Sequence, residues 1–183
     1  MGIGKHANVA HIIDFGLSKE FRDPRTRLHI PRGNALGLTG TATFASIHSH
    51  LGLELGRWDD LESLAYILIY FLRGSLPWRG LDLEGCDLVV ESKQQTSTRD
   101  LCYGLPLELQ TFLDYSRSLS FNDKPNYDYL RSLFNNLLLR AGLRSDMAFD
   151  WDGSDGGVDE QLGARRECFD GLKHNKSPKH CSG

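Results

Sequence analysis

A long helix is predicted in the middle of the chain, where hydrophobic residues recur every three or four positions. It begins at Asp59 or Asp60 and ends at Gly74 and Pro77, and with Asp59 as N-cap the side chain of Glu62 would complete a capping box. The recurring positions are Leu61, Leu64, Ala65, Leu68, Phe71 and Leu72. Further apolar residues lie on the other faces, so we expect this helix to be buried nearly all round and to form the centre of the core.

Two more amphipathic helices are predicted in the C-terminal half. One follows Pro106, a residue that suits the first turn of a helix, and the other lies between Pro125 and a C-cap at Gly142. Their apolar faces are Leu109, Phe112, Leu113 and Ser116 for the first, and Tyr127, Leu130, Phe134, Leu137, Leu138 and Ala141 for the second. Three helices and one strand signal predict a mainly α fold.

The rest of the chain carries weaker patterns. Residues 9–13 form a β-branched run that predicts a buried strand leading into a turn. Residues 18–58 lack a sustained period and are rich in Gly, Pro, Thr and charge, which predicts a long functional loop. Residues 82–100 hold five acidic and two basic side chains, and we expect a solvated, partly irregular segment. Residues 152–183 offer almost nothing to bury, so we expect a disordered tail.

Composition narrows the function classes. The 183 residues leave room for one core, and a formal charge of −3 gives no general attraction to nucleic acid or to an anionic membrane. The longest apolar run, 64–72, is too short to span a bilayer, no signal-peptide pattern is present, and four scattered cysteines favour reduced thiols. We therefore expect a protein of the cytoplasm or nucleus with no nucleic-acid and no membrane partner. The sequence leaves its oligomeric state open.

A tripeptide at residues 14–16, Asp-Phe-Gly, follows the apolar run and precedes a basic loop that ends in Thr-Gly-Thr at 39–41. This order is that of the magnesium loop and activation segment of protein kinases. Longer strings are HIIDFGLSKEFRDPRT from His11, LTGTATFASIHSHLG from Leu38, DDLESLAYILIYFLRGSLPWRGL from Asp59 and NDKPNYDYLRSLFNNLL from Asn122, followed by FDW. With these strings the chain resembles the C-terminal lobe of a casein kinase 1 family serine/threonine protein kinase, truncated on the N-terminal side.

The resemblance implies a fold and a chemistry. The fold is a mainly α kinase C-lobe fragment over residues 1–151, with a short β segment before the DFG loop and no N-lobe. Asp14 would ligate Mg²⁺ on the ATP phosphates, Phe15 would pack inward to set the loop, and Gly16 would permit its turn. Thr41 would touch the catalytic loop near the acceptor hydroxyl, and Asp60 would accept hydrogen bonds from that loop. From the residues alone, Asp14 could equally cap a turn and Thr41 could stabilise one.

A basic stretch lies within the long loop, since residues 19–57 contain six basic and three acidic side chains. The resemblance assigns four of the arginines to the face that binds protein substrates, Thr41 being the fifth substrate-binding residue. These arginines are Arg22, Arg25, Arg27 and Arg32. The alternative is an ordinary solvated loop surface, which is what most charge runs are.

The chain also departs from the family. Leu36 stands where the family usually has Lys and Thr43 where it usually has Arg, and the segment after Leu81 is acidic where the family is basic. A hydroxyl cannot replace a bidentate guanidinium, so acidic substrates should bind poorly even to the parent kinase.

Only thirteen residues precede Asp14, and they contain no catalytic Asp, glycine-rich loop or His-Arg-Asp motif. We expect the chain alone to be inactive, with Mg-ATP-dependent phosphorylation of Ser/Thr as the reaction of its parent. The alternatives are a pseudokinase or degenerate remnant that acts as a protein-binding module, and a helical interaction module unrelated to kinases.

Metal sites are not expected elsewhere. His48 and His50 could share one side of an extended segment, but no Cys or carboxylate partner lies nearby in the sequence. The C-terminal tail contains the ligand types Cys168, His174, His180 and Cys181, for which a disordered tail is the favoured interpretation.

Overall fold

The computed structural model describes residues 9–33, 37–81 and 85–142, and it confirms a mainly α fold. Over these ranges the helices are α1 Ile47–His50, α2 Arg57–Arg73, α3 Cys86–Gln95, α4 Thr98–Leu101, α5 Leu107–Ser118 and α6 Tyr127–Arg140. The β pairing in the described ranges is one isolated antiparallel bridge between Arg22 and His29.

The strand predicted over residues 9–13 is wrong. Ile12 and Ile13 are 83% and 79% exposed, and no strand is assigned in this stretch. A β-branched run becomes a strand only when a neighbouring strand satisfies its backbone groups, and the described ranges contain no such neighbour. The predicted tail, 152–183, lies outside the described residues, as do Leu36 and the end of the predicted kinase segment at residue 151.

The chain divides into two compact units. One is Asp14–Leu133, and the other combines Met1–Ile13 with Phe134–Gly183, of which 9–13 and 134–142 are described. In the first unit α2 packs against α5, and α3 packs against α1. Its most deeply buried apolar side chains are Ala65, Tyr66, Ile69, Trp78, Val89, Leu101, Leu109, Phe112 and Leu113.

Helix α2 begins at Arg57, two to three residues earlier than predicted. Gly56 is the N-cap, and Asp59 is the third helical residue, whose carboxylate accepts the Gly56 N–H at 2.7 Å. Asp59, and not Glu62, therefore supplies the carboxylate half of a capping box, because a third-position carboxylate can reach back to the N-cap amide, while Gly56 has no side chain to supply the other half. The end at Gly74 is confirmed: this residue has φ 82° and donates its N–H to the Tyr70 carbonyl at 2.7 Å.

The expectation that α2 is buried nearly all round is wrong. Leu64 and Phe71, seven residues apart on one face, are 44% and 74% exposed. Leu61, Ala65 and Ile69 face the core. Apolar composition alone does not distinguish the two faces, since both carry large hydrophobic residues.

Both C-terminal helices lie where the sequence predicts them. The predicted inward face of α5 is buried throughout, from Leu109 to Ser116. Of the predicted face of α6, Leu130 is buried at 5% exposure whereas Tyr127 is 39% exposed. Gly142 follows α6 with φ 66°, which confirms the predicted position of the helix end.

The segment 82–100 is more regular than its charge count indicates. From Cys86 it forms α3 and α4, and Val89 and Lys93 lie one turn apart on a buried face with 0% exposure each. Asp87 and Glu91 are exposed. The buried stripe is short and contains a lysine, and for that reason the sequence pattern does not reveal an amphipathic helix.

Candidate functional site

The DFG tripeptide forms an exposed turn. Asp14 has φ 63°, and its carboxylate accepts the N–H of Gly16 at 3.2 Å. Ser18 closes the turn by donating its N–H and its hydroxyl to the Phe15 carbonyl, at 3.0 and 2.7 Å. The inward packing expected of Phe15 is absent, because its side chain is 67% exposed and the described ranges provide no pocket over it. The left-handed residue is Asp14 and not Gly16.

Thr41 lies in a tight turn that leads into α1. Its carbonyl accepts the N–H groups of Phe44 and Ala45 at 2.9 and 2.8 Å, while the residue itself is exposed. We refer to residues 38–50, which contain this turn and α1, as the 38–50 segment. Most of this segment is not helical, so bonds from other elements must hold it in place.

Lys93 of α3 supplies the most buried of these bonds. Its Nζ donates to the carbonyls of Ala42 and Ala45 at 2.8 and 2.6 Å, and it lies 3.1 Å from His50 Nε2. The rings of Tyr66 and Trp78 flank the same atom at 5.1 and 5.3 Å from their centroids. Desolvation lowers the pKa of Lys93 to about 7, an effect that the charge of Glu62 opposes.

Two further contacts hold the same segment. Trp78 donates its Nε1 hydrogen to the Thr43 carbonyl at 2.8 Å. The hydroxyl of Ser49 donates to the Thr39 carbonyl at 2.8 Å and accepts the Thr39 N–H at 2.9 Å. Thr43 therefore takes part through its backbone carbonyl.

The segment is joined to the start of α2 by Ser46 and Asp59. The Ser46 hydroxyl caps α1 by accepting the Ser49 N–H at 3.2 Å and donates to Asp59 Oδ1 at 2.7 Å. Burial raises the pKa of Asp59, and the hydrogen bonds that its carboxylate accepts from the Ser46 hydroxyl and the Gly56 N–H counteract that rise. Asp60 is exposed at the first turn of α2, and its pKa is raised by desolvation and by the charge of Asp59. Of this pair, the sequence singles out Asp60, whereas Asp59 makes the described hydrogen bonds.

A buried ion pair links α2 to α5. Glu62 is 1% exposed and accepts hydrogen bonds from the Tyr66 hydroxyl at 2.6 Å and from Arg117 Nε at 3.1 Å. Arg117 also donates to the Tyr66 hydroxyl at 2.8 Å. Burial, with the adjacent Glu62 charge, raises the pKa of Tyr66. The three side chains hydrogen-bond one another, which indicates a structural role.

The four arginines of the basic stretch are exposed. Arg25 and Arg27 lie in a turn between the bridge residues Arg22 and His29, and Arg32 follows this turn. The Asp23 carboxylate closes the turn by accepting the N–H groups of residues 25 and 26. Arg32 lies 6.0 Å from the Phe121 ring centroid, and Arg57 donates to the carbonyls of residues 122 and 123. The basic stretch is thus a solvated surface that contacts the turn before α6 through Arg32 and Arg57.

A scan of the chain against protein-family models finds no match. Within the residues that the structure describes, no helix is long and apolar enough to cross a membrane.

The side chains with chemical potential fall into two groups, one exposed and one buried. Asp14 offers an exposed carboxylate that can ligate one hard cation, and the 38–50 segment presents Thr41 on a rigidly held turn. Deeper in the fold, His48, Asp59 and Glu62 bring three potential ligand atoms together. The expectation that His48 lacks carboxylate partners is wrong, because α2 folds back and supplies both of them. The sequence signal for this cluster is an Asp and a Glu at i and i+3, which share one face of the predicted helix. The position of the histidine beside them follows from the fold and not from the sequence pattern.

Proposed function

We propose that the chain is the C-terminal lobe portion of a casein-kinase-1-like serine/threonine protein kinase. Its parent transfers the γ-phosphoryl group of Mg-ATP to protein Ser/Thr hydroxyls in the cytoplasm or nucleus, and the 183 residues alone do not carry out the transfer. The long motif strings support this proposal, and the helical fold is compatible with it. The observation that carries it is the 38–50 segment, which holds Thr41 in a turn and is bonded through Ser46 to Asp59 in the first turn of α2, next to Asp60.

The residues present fit part of a Mg-ATP site. The Asp14 carboxylate suits Mg²⁺, which would neutralise charge on the phosphates when bound. The chain's own contribution is to hold Asp14 in its turn through the Gly16 N–H and to hold the acceptor-side turn at Thr41 through Lys93 and Trp78.

The test is the coding sequence upstream of Met1, followed by a phosphorylation assay of the longest product with Mg-ATP and a protein substrate. We expect an upstream glycine-rich loop and a His-Arg-Asp motif, and transfer that falls at least about 100-fold in Asp14→Asn. Asp128→Asn, at an exposed surface ion pair on α6, is the matched control and should retain the activity. Upstream sequence without either motif, or transfer by the 183-residue chain alone, contradicts the proposal.

A second candidate is a protein-binding pseudokinase. Its support is the acidic outer face of α3, where Asp87 and Glu91 are exposed in place of the family's basic residues, together with Thr43. It predicts a folded longest product that transfers no phosphate under the same conditions. Robust transfer lost in Asp14→Asn would rule it out.

A further inference from the structure

A buried cluster of metal-ligand atoms lies where α1 meets α2. His48 of α1 and Asp59 and Glu62 of α2 each place one ligand atom within 4.8 Å of the other two. The two carboxylate residues are 3% and 1% exposed, whereas the His48 side chain is 30% exposed. The cluster is therefore enclosed on the α2 side and reachable from solvent past the imidazole.

Among the described residues, no group forms a hydrogen bond with the Nδ1 atom of His48. This atom is buried, and Asp59 Oδ1 faces it at 3.8 Å, beyond hydrogen-bond range. The Trp58 ring packs edge-on against the imidazole at 4.1 Å between centroids and fixes its orientation. Buried polar atoms in folded proteins nearly always have a partner, and an ion is one such partner.

The size and chemistry of the cluster suit Zn²⁺. An ion at the centre of a triangle with 4.8 Å sides lies about 2.8 Å from each corner, against 2.0–2.2 Å in zinc sites, so each donor needs to move by less than about 1 Å. One imidazole and two carboxylates are common zinc ligands, whereas Mg²⁺ prefers oxygen alone. The Ser46 hydroxyl on Asp59, and Tyr66 with Arg117 on Glu62, hold the carboxylates in place as outer partners.

We propose that His48, Asp59 and Glu62 bind one Zn²⁺ ion, with the fourth position open to water on the His48 side. The ion joins α1 to α2 and so tightens the 38–50 segment. Zinc binding here is independent of the kinase proposal, since it requires neither nucleotide nor a catalytic loop.

The test is isothermal titration of the metal-stripped full chain with ZnCl₂, carried out in a Cys168→Ser/Cys181→Ser background that removes the C-terminal thiols. We expect one equivalent of zinc, a higher melting temperature with zinc than with MgCl₂, and an affinity reduced more than about 100-fold in His48→Gln. His29→Gln changes a histidine that is not one of the three ligands and whose ring meets Phe121 edge-on, and it should leave the affinity unchanged.

Cobalt substitution and a second variant keep the test decisive if His48→Gln does not fold. Bound Co²⁺ should show the visible bands of a tetrahedral nitrogen and oxygen site without a thiolate charge-transfer band. Asp59→Asn, which keeps an oxygen to accept the Gly56 N–H and an amide that can pair with the Ser46 hydroxyl, should abolish these bands. Absence of zinc binding, a thiolate band, or affinity unaffected by both variants overturns the proposal.

Discussion

Replacing Lys93 by Met tests a buried contact of the fold. Methionine fills a similar volume but cannot donate, so the carbonyls of Ala42 and Ala45 lose donors at 2.8 and 2.6 Å. His50 Nε2 lies 3.0 Å from the Ala42 carbonyl and can donate to it, so the Ala45 carbonyl is the acceptor left without its donor. A buried acceptor left without a partner costs about 1–3 kcal/mol, and the relief of no longer burying an ammonium group offsets part of this cost. We expect Lys93→Met to lower the free energy of unfolding by about 1–2 kcal/mol.

The pH dependence of stability distinguishes a charge effect from lost packing. The unfolded chain binds a proton at Lys93 up to an ordinary lysine pKa near 10.4, while in the folded chain this pKa is about 7. Between these values the unfolded state binds more protons, so the contribution of Lys93 to stability rises with pH above about 7 and is flat below it. At pH 7 half of the folded molecules still carry the proton, so from pH 7 to 8.5 the rise amounts to about 1–2 kcal/mol.

The assay is urea unfolding followed by circular dichroism at intervals between pH 6 and pH 8.5. The upper limit matters because burial raises the pKa of the Cys102 thiol to about 11, which lowers stability with the opposite sign above the ordinary thiol pKa. Lys93→Met should remove the rise, and Lys124→Met, at an exposed lysine, should retain it. A Lys93→Met protein with the midpoint and pH profile of the parent chain refutes the reasoning.

Two further substitutions test the buried polar contacts. Arg117→Met leaves the buried carboxylate of Glu62 without its paired arginine, and we expect the free energy of unfolding to fall by about 3 kcal/mol in denaturant melts. Arg131→Met, at an exposed ion pair, should lower it by less than about 0.5 kcal/mol. Equal losses in the two variants would contradict the expectation. Ser46→Ala removes the cap of α1 and a hydrogen-bond donor to Asp59, so the free energy of unfolding should fall by about 1–2 kcal/mol, measured from the denaturation midpoint. An unchanged midpoint would show that the Ser46 hydroxyl does not stabilise the fold.

Much of the helical framework is predictable from sequence. The spacing of hydrophobic residues locates α2, α5 and α6, and Gly74 marks the end of α2 as a residue with positive φ. These features depend on local periodicity and turn chemistry, which a sequence displays directly. The strand predicted at 9–13 is wrong because its stability depends on a partner that local sequence does not specify.

The site is less predictable than the framework. Motif resemblance singles out Asp14 and Thr41, but it does not reveal the roles of Lys93, Asp59 and His48. A lysine in an acidic stretch is usually exposed, and the burial of Lys93 depends on carbonyls about 50 positions earlier. Contacts at that sequence separation follow from the packing of α3 on α1, which periodicity does not reveal.

The side-chain bonds that hold the 38–50 segment affect the order in which the chain folds. Within the described ranges its long-range side-chain bonds come from Asp59, Trp78 and Lys93, at separations of 13, 35 and 43 to 51 positions, all later in the chain. We expect these contacts of the segment to form only once α2 and α3 are in place, because each of them closes a loop and costs chain entropy. The backbone amides of its Thr41 turn should then exchange with deuterium through the same opening that releases α3.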